Sequence, residues 1–218
     1  MQPAYILFDL DETLYPASSG LMKEVGRRMT EYVSGFLKVD PEKALSLRRE
    51  LTRKYGTTLK GLLVEYDLGT AEEYLEYCHP TDVNKYLSRD PELAQVLTAL
   101  AVPKSILTNS PLEHAERVLV YLRVRNCFEH IFDVRFNNLS GKPDPEIYLK
   151  TLSTLKRDPE EVLFIDDRLA YLLPFQSMRG QVLLVSANGR EEAQSHRVPV
   201  IGDIKELPDF LDRMAAAE

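Results

Sequence analysis

Seven polar side chains in this 218-residue sequence stand where they could act on one ligand. Asp9 and Asp11 follow a short apolar run at 4–8. Thr108 and Asn109 follow a strand-like segment at 103–107, and Asp166 and Asp167 another apolar run at 162–165. Lys142 lies in a loop ahead of a capped helix. Short unbroken apolar runs read as parallel strands covered on both faces. Open α/β sheets bind ligands beyond the carboxyl ends of their strands. Carboxylates meeting there repel one another unless a cation lies among them. Mg²⁺ suits a few carboxylates, one backbone carbonyl, waters and a substrate phosphate. It would neutralise phosphate charge and leave a carboxylate free to attack, as in the aspartyl-phosphate strategy. Lys142 then holds both nucleophile and phosphate as a point charge, while Thr108 and Asn109 donate hydrogen bonds to phosphate oxygens. Such a division of labour fits phosphoryl transfer, in which positioning and charge neutralisation supply most of the catalysis.

The elements that must position these residues are legible from periodicity. After the first strand, Leu21, Val25, Met29, Tyr32, Val33 and Phe36 recur at helical steps, with Ser19 as expected N-cap. A second helix opens at Asp40-Pro41 and ends near Gly56. A third, short helix carries Leu59, Leu62, Leu63 and Tyr66, and a fourth starts at the capping-box pattern Thr70-Ala71-Glu72-Glu73. Beyond Asp90-Pro91, strands and helices alternate. Strands are expected at 103–107, 131–136, 162–165 and 181–185, with helices at 145–155 and to about 179, and Ser110 heading a second capping box. The expectation is an α/β fold, a doubly wound parallel sheet interrupted after its first strand by an all-helical block. The core comprises 1–16 and 89–218, the helical block 17–88.

Apolar residues make up 44% of the chain and charged residues 28%, as in an ordinary globular protein. The net charge of −7 argues against a nucleic-acid polymer or an anionic membrane as partner. No signal segment and no membrane-spanning run are visible. Cys78 and Cys127 show no metal or redox spacing, so a reduced, cytoplasmic setting is expected; the sequence leaves the oligomeric state open, with a monomer slightly favoured. Charge is uneven within the helical block. Residues 17–61 hold ten Lys/Arg against five acids, and 62–92 hold two against eight. Solvated helix faces explain this; the sharper alternative is that some of the cations look into a substrate cleft. His79, His114, His130 and His196 lack metal spacing and are expected to be surface or structural.

Four segments together resemble the haloacid dehalogenase (HAD) superfamily. Asp9-Leu10-Asp11-Glu12-Thr13 is similar to its Asp-x-Asp-x-Thr motif and Leu107-Thr108-Asn109-Ser110 to its second. Gly141-Lys142-Pro143-Asp144-Pro145 is similar to the third and Phe164-Ile165-Asp166-Asp167 to the fourth. The resemblance implies that Asp9 attacks phosphorus and binds Mg²⁺. It makes Asp11 the acid/base, with its carbonyl on the metal. Thr108 with Asn109 would bind phosphate, Lys142 steady the charge, Asp166 ligate the metal, and Asp167 ligate it through water. Dehalogenases of the superfamily lack the second aspartate, so Asp11 implies phosphate chemistry. The helical block resembles the family's cap, which closes over small substrates. One departure stands out: Tyr171 occupies the place where many relatives carry asparagine.

Asp11 to Pro16 and Tyr55 to Leu62 further resemble the pyrimidine 5′-nucleotidase-like branch, which adds Thr57, Thr58 and Lys60 as candidate substrate contacts. A helix stop followed by an N-cap is the plainer account of that segment. The expected activity is Mg²⁺-dependent hydrolysis of a small phosphorylated metabolite, a nucleoside 5′-monophosphate. The alternatives are a sugar-phosphate phosphatase, a phosphomutase, or a non-catalytic binding protein on the same scaffold.

Overall fold

A computed structural model describes residues 2–188 and 190–216. Six parallel strands form one sheet: β1 (Tyr5–Phe8), β2 (Lys104–Leu107), β3 (Ile131–Phe132), β4 (Val162–Asp166), β5 (Gln181–Val185) and β6 (Val200–Ile201), in the order β3-β2-β1-β4-β5-β6. The strand order reverses between β1 and β4, the switch point where such sheets bind ligands. Phe8 pairs with Ile106 on one side and Ile165 on the other. Asp9, Thr108 and Asp166 therefore emerge at nearly the same height. Asp9 N–H donates to Ile165 O at 2.8 Å, and Thr108 N–H to Phe132 O at 3.0 Å, so the pairing pattern carries past the strand ends.

Side chains alternate across the sheet. Ile6, Phe8, Leu163 and Ile165 enter one apolar core, while Tyr5, Leu7, Phe164 and Val182 enter another. Between β1 and β2 lie α1 (Leu21–Leu37), α2 (Pro41–Tyr55), α3 (Thr58–Glu65), α4 (Ala71–Cys78) and α5 (Pro91–Ala99). The first four enclose a third core around Val33, Leu51, Leu62 and Tyr74, to which Val134 and Leu139 are added from outside them. Leu21, Val83 and Leu87, near the ends of this segment, belong to the core of the sheet. The remaining helices are α6 (Leu112–Tyr121), α7 (Pro145–Leu155), α8 (Leu169–Ser177), α9 (Arg190–Ser195) and α10 (Leu207–Ala216). Among the described residues, no helix is long and apolar enough to cross a membrane.

Several local expectations are corrected. Asp40, Asp90 and Asp144 cap their helices as the Asp-Pro pattern predicts. Thr70 makes no side-chain cap bond. Gly20, not Ser19, is the N-cap of α1, although Ser19 Oγ accepts from Leu21 N at 3.3 Å. The N-cap of α6 is Pro111, and the side chain that receives Leu112 N–H is Asp133, at 3.0 Å. Ser110 is thereby left for another task. β3 stops at Phe132 rather than Phe136, because Asp133 also takes Phe136 N–H and turns the chain.

Candidate active site

The centre of the site is one ammonium held by two carboxylates. Lys142 Nζ lies 2.6 Å from Asp9 Oδ1 and 2.7 Å from Asp166 Oδ2, all but sealed from solvent. Its charge also faces the rings of Phe164 and Tyr171, each with its centroid 5.3 Å away. Burial opposes the lysine's charge, but the two carboxylates outweigh it and raise its pKa. Burial, with the neighbouring carboxylates, lifts Asp9 well above the usual range in spite of Lys142. Burial raises Asp166 as well. Asp167 is pushed up to about 7, by burial first and then by Asp166 and Glu12. One lysine does not balance three converging acids. Asp9, Asp166 and Asp167 each offer an oxygen within 4.8 Å of the others. This all-oxygen donor set, short of positive charge, fits a hard divalent cation.

Two hydroxyls and one loop clip complete the surroundings. Thr13 Oγ1 donates to Asp9 Oδ2 at 3.2 Å and lies 3.5 Å from Asp167 Oδ1. Glu12, at φ 64°, adopts the left-handed conformation that lets the chain turn between Asp11 and Thr13. Thr108 Oγ1 accepts from Ser110 N–H at 3.0 Å, which leaves its own proton free to donate. Asn109 departs from expectation. Its side chain accepts from Lys142 N–H at 2.8 Å and donates to Lys142 O at 3.1 Å. The amide is thus spent on holding the lysine loop, while its backbone N–H has no acceptor among the described residues.

Asp11 is engaged on both oxygens. Oδ1 accepts from Tyr15 OH at 2.6 Å and from His114 Nε2 at 2.8 Å, and Oδ2 from Ser110 Oγ at 2.5 Å. Burial works against ionisation, but His114, Ser110 and Tyr15 together hold the carboxyl well below the usual carboxylate range. The contact requires the proton on Nε2 of His114, whose Nδ1 is buried without a partner.

A family model described as haloacid dehalogenase-like hydrolase matches residues 4–177, which hold every residue of this centre. The chain belongs to that family. Among curated proteins, this HAD chain is 30% identical over 178 residues to a glyceraldehyde 3-phosphate phosphatase of Pyrococcus abyssi, covering 75% of this chain and 73% of the relative. It is 27% identical to an N-acetylmuramic acid 6-phosphate phosphatase of Pseudomonas aeruginosa, again over 75% and 73%. Its fold matches the crystal structure of a HAD phosphatase from Thermococcus onnurineus with a TM-score of 0.64, at 20% identity, over 97% and 98% of the two chains. The chain is a hydrolase of the HAD family.

Outside the four motifs, sequence reasoning and structure part company. Thr57 caps α3 by accepting Lys60 N–H at 3.0 Å and donates to Leu139 O at 3.2 Å. Thr58 is buried, its hydroxyl 3.0 Å from Thr52 Oγ1. Both hydroxyls are committed within the protein, as the plainer account of that segment expected. Lys60 faces a cavity of about 1030 Å³ between α2, the Lys142 loop and the start of α8. His114, expected to be surface or structural, is instead a buried donor to Asp11. His79 packs 5.0 Å from it, and burial lowers its pKa to about 4, so it is neutral near pH 7. No spacing signal ties residue 114 to residue 11. Only the shared strand-end location of Ser110 and α6 hinted at it. Tyr171 lies between Arg168, 4.3 Å from its ring, and Lys142. The Tyr171 ring thus sets an aromatic face against the Lys142 ammonium.

Proposed function

We propose that this hydrolase is a Mg²⁺-dependent phosphomonoesterase for small phosphorylated metabolites, working through an aspartyl-phosphate on Asp9. What supports the reading is Asp9 poised between Lys142 and an acidic pair that lacks counter-charge. An oxygen of Asp9 attacks phosphorus, the ester P–O bond breaks, and the leaving oxygen takes a proton from Asp11. Water then attacks the phosphoryl group, gives its proton to Asp11 and restores Asp9. The Thr108 hydroxyl and the Asn109 N–H donate to phosphate oxygens, and Lys142 offsets their charge. Asp9, Asp166 and Asp167, with the Asp11 carbonyl that the family resemblance adds, would hold Mg²⁺. When bound, the ion would neutralise phosphate charge. Asp11 as found is set for the second step, because its three donors favour the carboxylate that accepts water's proton. The first step requires that grip to loosen. Residues 17–88 would act as the cap, with Gly56 and Thr57 resting on the lysine loop.

Two substrate classes have separate support. The rings of Tyr55 and Tyr171 in the cavity wall suit the base of a nucleoside 5′-monophosphate. The names of the relatives favour a sugar phosphate. A screen of nucleoside monophosphates and sugar phosphates, with Mg²⁺ and with EDTA, tests the reading. Metal-dependent phosphate release is expected, together with its loss in Asp9→Asn. Release that survives either change rules out the mechanism, and an isomerised product without free phosphate would mark a mutase.

A further inference from the structure

The cavity beside the site carries a charge that a single phosphate does not explain. Its walls bring together Arg48, Arg49, Arg53, Lys54, Lys60 and Arg168 against one acid, Asp144. That acid is already committed, since it accepts Glu146 N–H at the start of α7. The chain as a whole has more acids than bases. Elsewhere several arginines find them: Arg27 pairs with Glu24 and Glu31, Arg125 with Glu116, and Arg135 with Glu72 and Glu113. Around the cavity Lys54 pairs with Glu65 at 2.5 Å, but its neighbours do not. Arg49, Arg53 and Lys60 have no side-chain partner among the described residues. Arg48 donates through Nη1 to Gly26 O and Thr30 Oγ1, yet its Nε is buried with no acceptor. Unpaired cations gathered on one concave wall repel one another, and an anion relieves that repulsion. The cavity adjoins the catalytic centre, because Pro143 follows Lys142 directly and the Tyr171 ring touches both spaces.

The geometry points to a second anion subsite: the substrate is a phosphomonoester that carries a further carboxylate or phosphate, received by Arg49, Arg53 and Lys60 while its scissile phosphate lies at Asp9. This rests on the phosphatase reading only in placing one phosphate beside Lys142. A substrate with a neutral tail leaves these cations unpaired, whereas one with an anionic tail gains charge-assisted hydrogen bonds.

Stable phosphonates test this without turnover. Calorimetric titration of the wild-type protein with Mg²⁺ would compare butylphosphonate, 4-phosphonobutyrate and butane-1,4-diphosphonate. One or both of the doubly anionic ligands should bind about 10- to 100-fold tighter than butylphosphonate, the range expected for charge-assisted bonds. Their order tells carboxylate from phosphate. The ratio should collapse toward one in the Arg49→Gln/Arg53→Gln variant, whose exposed positions leave the fold intact. Equal binding of all three ligands, no binding by any, or a ratio unchanged in the variant overturns the proposal. If the ratio holds while no phosphomonoester is hydrolysed, the subsite stands and the phosphatase reading falls.

Discussion

Replacing Lys142 by methionine keeps an unbranched apolar stem and removes only the ammonium. Its partners, Asp9 and Asp166, are then two buried carboxylates facing each other, with Asp167 close by. Removing one member of a buried ion pair costs about 3–5 kcal/mol. For a chain of this size each kcal/mol is about 2–4 °C in Tm, so a drop of about 6–20 °C is expected at pH 7.5 in EDTA. The sign with pH follows from the carboxyls. Asp9 and Asp166 already sit above their ordinary pKa with the lysine present, and without it they rise further. The folded variant then binds more protons than the unfolded chain, so its stability falls as pH rises through the raised carboxyl range and recovers at pH 5. Mg²⁺ would replace the missing charge and lift the variant's Tm more than the wild type's. Thermal unfolding followed by circular dichroism, at both pH values and with EDTA or Mg²⁺, measures all of this. A variant within about 2 °C of wild type at pH 7.5 in EDTA, set against the expected scale, would refute the claim that this lysine neutralises the acidic centre.

Three other perturbations follow from the same geometry. Because Asp167 titrates near 7 in the metal-free protein, Mg²⁺ must displace its proton at lower pH. Affinity measured calorimetrically should rise by up to about tenfold per pH unit from 5 to 7 and then level off; a flat profile counts against Asp167 as a ligand. Tyr15→Phe deletes the 2.6 Å donor to Asp11 and should raise that carboxyl by about one to two pH units. The acid limb of kcat would move to higher pH, and an unmoved limb means the Tyr15 bond does not tune the acid/base. Gly141→Ala would place a Cβ 2.4 Å from Thr57 Cγ2 and 2.9 Å from the Asn109 amide. Overpacking at that junction should cost about 1–3 kcal/mol, read as a lower denaturation midpoint; an unchanged midpoint would show that the helices do not seat there.

The strand ends were readable because each apolar run gives way abruptly to the polar residue that does chemistry, and the sheet then aligns these ends by register. Asp9, Thr108 and Asp166 could be brought together on that basis, whereas Lys142, in the loop ahead of α7, was linked to them only by the resemblance of its motif. Elsewhere the chain had competing options. The alternation Phe132-Asp133-Val134-Arg135-Phe136 has the period of a strand, yet Asp133 takes two backbone N–H groups and Val134 leaves for the core of the helical insert. Ser110 has the sequence of a helix cap, but with Asp133 serving α6 its hydroxyl goes to Asp11. Asn109 has the donors to bind phosphate, yet both ends of its amide match the Lys142 backbone. In each case a tertiary partner distant in sequence outcompeted the local pattern, and no local signal records such a partner.

The apolar interior of α1–α4 is built mostly from those helices and the turns between them, joined by Val134 and Leu139 from beyond β2, while the acidic centre stands on strand ends rooted in two other cores. Mutations that reshape the wall carrying Arg49 and Arg53 can therefore accumulate without disturbing the reacting carboxylates. A lineage built this way can trade one metabolite for another while its chemistry stays fixed. The same separation makes α2 the natural place to begin a directed search for altered selectivity.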